Sequence, residues 1–573
     1  MDNTTKQTKY IKEYVIATLF LVFISVAYLI CSPKGVDIDF HMLRIGELGK
    51  ELGRISSFKD FPVYIYRDVY YHYGYPIPIF YCALFLYPFA GLVCLGMSPL
   101  WAYKIMVLSL LWGSFFLCKA CALYWFHDRR TAYRVAFIYA AQPYFLMDLF
   151  VKASIGEAFA FVFIPLVALG YMLISRGSDR QGYYKKGVIF LAIGVNFVIC
   201  SHVISTILTV IALGILFILD IIKSNNRMTI LKGCIIAAVL CFLLSLWYLL
   251  PMLEQFMNYD FHAQVITPLS KSPQNFISLI FLPMHASIAL STIIGREVPL
   301  SEIGGAPLIM VLTIAIIIAK RKSYKIDQTD KKLLVIYVLL VISMCIGVVW
   351  VPFEKILGFM QFTWRVYFIA ALVGIVFIIR MLIKNSDGAY FSRVMFVTIF
   401  SSLYVLFTCF GYFFVRDTLP KFTGGEIPGL AYSSETTDIL YIPQNIDPYS
   451  ISERKRVVSA DSDEIDYTYD CDEKNGTVTI DITTNANKED VSLEIPFIMY
   501  NGYTAVNIAT GQKYKLAASD SGYVKMSVPG GTSGKIAIRY ERTIIQYLSY
   551  VVSVASLICL LVVGIINKRH YDI

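Results

Sequence analysis

Along the chain, runs of about 20 nearly uninterrupted apolar residues alternate with short polar segments, and a helix of that length crosses the apolar core of a bilayer. The pattern predicts twelve such spans, near 13–31, 101–126, 131–150, 157–174, 186–200, 203–222, 231–250, 306–319, 333–350, 362–383, 394–415 and 544–566. Two further apolar runs, 77–97 and 276–294, are read as interfacial or re-entrant. The first carries Pro78 and Pro88. Counting it as a crossing would send the basic segments His127-Asp128-Arg129-Arg130, 175–186 and 223–232 outside, against the bias of Lys and Arg toward the cytoplasm. With Lys6, Lys9 and Lys12 holding the N-terminus inside, the loop after the first span faces outward, as does the apex Ser201-His202 between the fifth and sixth.

From 416 to about 543 the period changes. Stretches such as Thr477-Val-Thr-Ile-Asp-Ile-Thr483 and Lys535-Ile-Ala-Ile-Arg539 alternate, and Asn475-Gly476, Asn501-Gly502 and Gly530-Gly531 supply turns. These features predict an extracytoplasmic β sandwich. The expected organisation is a membrane domain over 1–415, whose first outer loop (31–100) carries interfacial helices, a β domain over 416–543, and a last span with a cytoplasmic tail over 544–573.

Composition agrees. The 573 residues are 57% hydrophobic and only 16% charged, with a mean hydropathy of +0.62, so the chain reads as an α-helical multi-pass membrane protein. The net charge of +9 is scattered through short loops between spans, which argues for orientation in a bilayer and against nucleic acid as a partner. The first apolar run is too long for a signal h-region and lacks a small-residue cleavage site, so it is read as an anchor. Of the twelve cysteines, Cys471 alone falls in the β region, which therefore closes no internal disulfide, and no Cys or His spacing suits zinc.

Candidate chemistry concentrates just after the first span. In Asp37-Ile-Asp-Phe-His-Met-Leu-Arg44, helical spacing puts Asp37, His41 and Arg44 on one face, with Phe40, Leu43, Leu48 and Leu52 as an apolar flank. An aromatic run follows, including Tyr64, Tyr66, Tyr70, Tyr71, Tyr73 and Tyr75, of the kind that sits at headgroup depth or stacks on sugars. The expected topology brings Asp39, His72, Lys152, Glu157, His202, Glu354 and Arg365 to the same side. Each has a structural alternative: Asp37 as a helix cap, Arg44 and Arg365 as headgroup anchors, Lys152 with Glu157 as an ion pair, His202 as a helix-end hydrogen bonder. Together they suffice for glycosyl transfer, since a carboxylate takes the proton of an attacking hydroxyl and a guanidinium neutralises a leaving phosphate. Neither a P-loop nor a Rossmann fingerprint is present, and none is required.

At Asp37 to Arg44, Phe61-Pro-Val63, Tyr73-Gly-Tyr-Pro76, Phe80-Tyr81, Lys152-Ala-Ser-Ile-Gly-Glu157, Ser201-His202, Gln361-Phe-Thr-Trp-Arg365 and Pro496-Phe-Ile-Met-Tyr500 with Gly502-Tyr503, the chain resembles YfhO-type bacterial membrane proteins. These look like members of the GT-C glycosyltransferase superfamily. The resemblance implies a GT-C-like membrane fold in a bacterial plasma membrane, with a sugar taken from a polyprenyl phosphate with inversion. It implies Asp37 as general base, with Asp39 as the alternative and His41 or His202 orienting it. Arg44, Lys152 and Arg365 are the expected donor-phosphate ligands, supported by Glu157, His202, Tyr73, Tyr75 and Trp364. The acceptor is a teichoic acid, a surface polysaccharide or a protein. No cofactor is expected; a divalent metal, for which Asp37, Asp39 and His202 are the candidate ligands, is not favoured. Thr363 departs from the family's proline, and Lys152 stands where relatives often carry arginine. The alternative function is a transporter or flippase of polyprenyl-linked sugars or envelope polymers.

Overall fold

The computed structural model describes residues 3–30, 37–57, 60–176, 181–265, 268–320, 323–385, 389–423, 439–462, 465–484 and 490–569. Among them, nine helices are long and apolar enough to cross a membrane, and each coincides with a predicted span. The other three predicted spans are corrected. Gln328–Cys345 is 18 residues long but opens with Asp330, Lys331 and Lys332, and is apolar enough only together with Gly347–Met360, to which it is bent by 93°. The run 131–150 breaks into Arg129–Ala141 and Pro143–Phe150, because Gln142 is extended (ψ 146°) and Pro143, which restricts the residue before it, opens a new helix. The run 306–319 yields the 12-residue helix Leu308–Ala319, which at about 1.5 Å per residue falls well short of a bilayer core. Among the described residues the count is therefore nine, or ten with the bent pair. The run 77–97 forms only Ile77–Phe80, Leu84–Leu86 and Tyr87–Cys94, and the run 276–294 forms Phe276–Phe281 and Met284–Ile294; all are too short to cross.

The chain divides into two compact units: Met1–Asp39, Tyr103–Ala238 and Ile266–Leu430 form the first, and Phe40–Ala102, Val239–Val265 and Ala431–Ile573 the second. Compactness thus groups most of the first loop and the last helix with the β strands, where the sequence suggested boundaries at 415 and 543.

In the first unit, helix association cannot draw on the hydrophobic effect where both faces meet lipid, so it depends on close packing. Ile155–Arg176 and Gln181–Ile199 approach through glycines. A Cβ on Gly170 would stand 2.3 Å from the amide nitrogen of Leu191, and one on Gly194 would stand 2.9 Å from that of Val167. Polar caps end the helices. Asp128 accepts N–H bonds from Arg130 and Thr131, and Asp327 shares a capping box with Asp330 while both carboxylates pair with Arg380.

In the second unit, the strands are β1 (Ser459–Ala460), β2 (Asp466–Asp472), β3 (Thr477–Thr483), β4 (Val491–Ile498), β5 (Tyr503–Asn507), β6 (Lys513–Tyr514), β7 (Leu516–Ala518), β8 (Tyr523–Val528) and β9 (Ser533–Tyr540). They form two antiparallel sheets, ordered β1-β4-β8-β7 and β2-β3-β9-β5-β6. Alternation decides which face is buried: Val478, Ile480 and Ile482 of β3 go inward with Ile536 and Ile538 of β9. Phe497 stacks on Tyr503 at 4.9 Å and joins the two sheets. Pro496, which cannot donate to a ladder, lies where the β4–β8 register shifts. The helix Ile38–Arg54 packs on Tyr87–Cys94 through Gly49, whose Cβ would stand 2.8 Å from Val93.

Candidate functional site

The first unit gathers its charges at a turn. Pro143–Phe150 ends at Val151, the Lys152 N–H returns to the Met147 carbonyl at 2.8 Å, and Ala153 adopts a left-handed conformation (φ 61°) before Ile155–Arg176 begins. This geometry sets Asp148 and Glu157 on either side of Lys152. All three are buried, with the ammonium 2.7 Å from Asp148 Oδ1 and 4.0 Å from Glu157 Oε2. Tyr144 donates its hydroxyl to Glu157 Oε1. The ammonium lies over the Trp364 ring at 4.0 Å and the Tyr144 ring at 5.1 Å. Burial pulls the Lys152 pKa down, but Asp148 and Glu157 more than offset that and hold it above its ordinary value, so the amine stays charged.

A second turn brings Arg365. Gln361 is left-handed (φ 64°), and Thr363, at the position where the resemblance expects proline, donates its hydroxyl to the Ser272 carbonyl at 2.7 Å, fixing the turn Thr363–Val366. The Arg365 guanidinium flanks the Phe362 and Trp364 rings at 5.7 and 5.6 Å. Its Nε and Nη1 are buried and have no hydrogen-bond partner among the described residues. Leaving charged donors buried and unmatched costs free energy that an incoming acceptor would remove. Glu302 belongs to the same field: burial pushes its carboxyl up, while Lys152 and Arg365 oppose the rise.

His202 caps Val203–Lys223, its Nδ1 accepting the Ser205 N–H at 3.3 Å. Burial, Arg365 and Lys152 all disfavour the imidazolium and push its pKa down to about 3. Asp37 joins the cluster through its backbone, donating its N–H to the Lys152 carbonyl at 3.1 Å while the residue stays exposed. Asp39, in the first turn of Ile38–Arg54, is also exposed, and partial burial raises its carboxyl pKa. The residues just before Asp37, 31–36, lie outside the described residues. Asp37, Lys152, Glu157, His202, Trp364 and Arg365 thus belong to one neighbourhood of the first unit.

The remaining candidates do other work. In the second unit, Arg44 is buried; its Nη2 donates to the carbonyls of Tyr81 and Cys82 at 2.9 and 3.0 Å, and its guanidinium covers the Tyr81 ring at 3.8 Å. This turns Nη2 and the guanidinium face to the protein, while Nε has no hydrogen-bond partner among the described residues, so Arg44 clamps its helix to the Tyr81–Cys82 segment. His41 is buried with Nδ1 3.4 Å from Arg44 Nη1. Tyr73 donates its hydroxyl to the Arg454 carbonyl, and Tyr75 accepts the Tyr441 N–H. His72 lies 3.6 Å from carboxylates of Asp68 and Glu473. In the first unit, Glu354 accepts the Ser270 N–H at 3.1 Å and latches a loop.

Sequence reasoning missed Asp148, Tyr144 and Glu302. Asp148 did carry a signal: it is a lone carboxylate in an apolar run, four residues before a lysine. Glu302 carried none. Among the described residues no three His, Cys, Asp or Glu side chains converge to hold a metal, and Asp37, Asp39 and His202 form no such group. A scan against models of known families finds no match to this chain, and no curated protein matches it either.

Proposed function

We propose that the protein is an integral-membrane glycosyltransferase that moves one sugar from a polyprenyl-phosphate donor to a hydroxyl of an extracytoplasmic glycopolymer or protein. The observation that carries this reading is the attachment of exposed Asp37 to the Lys152 turn, in the neighbourhood of an arginine with unmatched donors. In a single displacement the Asp37 carboxylate takes the acceptor proton, the hydroxyl oxygen forms a bond to the anomeric carbon, and the carbon–oxygen bond to phosphate breaks. The phosphate leaves with the electron pair, toward Arg365 and Lys152. One inversion follows. Phosphate needs no acid to depart, so one base and a cationic cradle are sufficient machinery.

A second reading is favoured by the buried Asp148–Lys152–Glu157 group, because ionisable side chains among apolar helices also mark transport pathways. Reconstitution with a labelled lipid-linked sugar separates the two. Transfer predicts label joined to acceptor, with Asp37→Asn lowering turnover by about a hundredfold or more while keeping membrane insertion and donor binding. Near-native turnover in Asp37→Asn, with the loss in Asp39→Asn instead, moves the base two residues along. Label that crosses the bilayer and never joins acceptor rejects the transferase.

A further inference from the structure

The second unit contains a cavity of about 890 Å3, within the roughly 300–1,000 Å3 usual for small-ligand sites. Four arginines line it, and three are matched. Arg54 and Arg67 share Glu51, at 2.9 and 3.1 Å, and Arg54 also meets Asp68; Arg539 meets Glu541 at 2.7 Å. Asp60, on the same wall, is spent on the N–H groups of Ser56 and Ser57. Arg542 differs. Among the described residues it has no carboxylate at ion-pair distance; its Nη2 donates to the Pro62 carbonyl at 3.3 Å, and its guanidinium stands 5.6 Å from the Tyr64 ring. A partly buried guanidinium has five N–H donors, and one neutral carbonyl answers little of that capacity.

Tyr64, Phe497, Tyr503, Tyr540 and Tyr547 give the wall an aromatic side. Tyr503 packs edge-on to Tyr540 at 5.5 Å, and Gly74 takes a left-handed conformation (φ 82°) where a Cβ would stand 2.8 Å from the Tyr503 hydroxyl. Ile544, Tyr547 and Leu548, at the start of the last apolar helix, line the same cavity and are 77, 56 and 56% exposed. A cation beside tyrosine rings, opening onto an apolar helix face, suits an anion attached to a less polar group.

We propose that this cavity is a second ligand site, where Arg542 takes the phosphate of a phosphate ester and the tyrosines take the group it carries. The phosphate belongs either to a lipid, whose chain would lie along Ile544 and Leu548, or to a free ester. The proposal uses none of the residues assigned to sugar transfer, so it stands or falls separately. The test is native mass spectrometry of the full-length protein released from detergent, with three probes: dihexanoyl phosphatidic acid, dihexanoyl phosphatidylcholine and glycerol 3-phosphate. Phosphatidic acid should be retained over phosphatidylcholine. Arg542→Gln should weaken its retention roughly tenfold or more, as loss of a charge-assisted pair predicts, while Arg539→Gln stays within about twofold. Because Arg542 also holds Pro62, Arg542→Lys serves as the folding control, and it should recover part of the affinity. Displacement of phosphatidic acid by equal glycerol 3-phosphate identifies a free ester as the source; failure to displace identifies a lipid. Equal retention of phosphatidylcholine, unchanged binding in Arg542→Gln, or equal losses in the two glutamine variants overturns the site.

Discussion

Arg44 of the second unit and Arg365 of the first distribute their donors differently. In the second, Arg44 gives Nη2 to the Tyr81 and Cys82 carbonyls and keeps only Nε without a partner among the described residues, and Arg54 and Arg67 meet Glu51, so each guanidinium fixes one segment of chain to another. In the first, Lys152 is matched by carboxylates, but Arg365 keeps two buried nitrogens without acceptors among the described residues. A satisfied guanidinium is a structural tie; an unsatisfied one carries a desolvation cost that only an incoming anion removes. Backbone strain discriminates less well. Ala153 and Gln361, both left-handed, adjoin Lys152 and the Arg365 turn, yet the second unit places Tyr70, Tyr71 and His72 in the same conformation consecutively, at a cost of about 1–2 kcal/mol each. There the strain makes a turn, closed by the Tyr73 N–H on the Tyr70 carbonyl at 3.0 Å.

The sharpest way to break the contrast is to remove a matched cation from the first unit. Lys152→Met would leave Asp148 and Glu157 buried with no positive charge between them, and should lower stability by about 3–5 kcal/mol. Asp148→Asn added to it should restore part of the loss. A thermal midpoint equal to the native one would show that the group is hydrated and the contrast false. Next in size is the exchange between Arg44 and Arg365. Arg44→Gln should cost about 1.5–3 kcal/mol of stability without a specific effect on donor affinity, since its bonds go to carbonyls. Arg365→Gln should leave the melting temperature near native and weaken donor binding by a similar amount, about 1.5–3 kcal/mol. Melting curves and binding isotherms on both variants decide it. If Arg365→Gln melts early and binds donor normally, Arg365 is a tie like Arg44.

Much of this was legible because membranes simplify patterns. Nine spans followed from apolar length, and the β strands from a period of two. The failures have local causes: Pro143 splits one span, and Leu308–Ala319 is too short because its apolar run is preceded by a turn rather than by more helix. In the site, the sequence named Lys152, Glu157, Trp364 and Arg365, whose residue types are unusual beside apolar runs. It did not separate Arg44 from Arg365. Both are arginines at the edge of a predicted helix or span, and the carbonyls that consume Arg44 lie 37 and 38 residues away along the chain. Sequence displays a charge but not its distant acceptor. That same limit hid Glu302, whose cationic neighbours come from two other segments.

The smallest effect at neutral pH, and the most selective one, concerns His202. Its pKa is pushed from 6.5 to about 3 by burial, Arg365 and Lys152, so the folded chain holds it neutral and the unfolded chain protonates it first. The sign follows from that order. Above about pH 6.5 both states carry a neutral imidazole and His202 contributes no pH dependence. As pH falls from 6.5 toward 3, the unfolded state binds the extra proton and stability drops, by about 1.4 kcal/mol per pH unit for one group. Asn is an equally good cap for Val203–Lys223, so His202→Asn should change stability at pH 7.5 by no more than about 0.5 kcal/mol. At pH 5 the variant should be the more stable of the two, because the native chain alone has lost the proton-linked part while the carboxylates titrate alike in both. Melting temperatures of the two proteins at pH 7.5 and pH 5 read this directly. Parallel declines would mean that neither burial nor the Arg365 and Lys152 charges act on His202, and the cationic neighbourhood assigned to the first unit would then lack one of its supports.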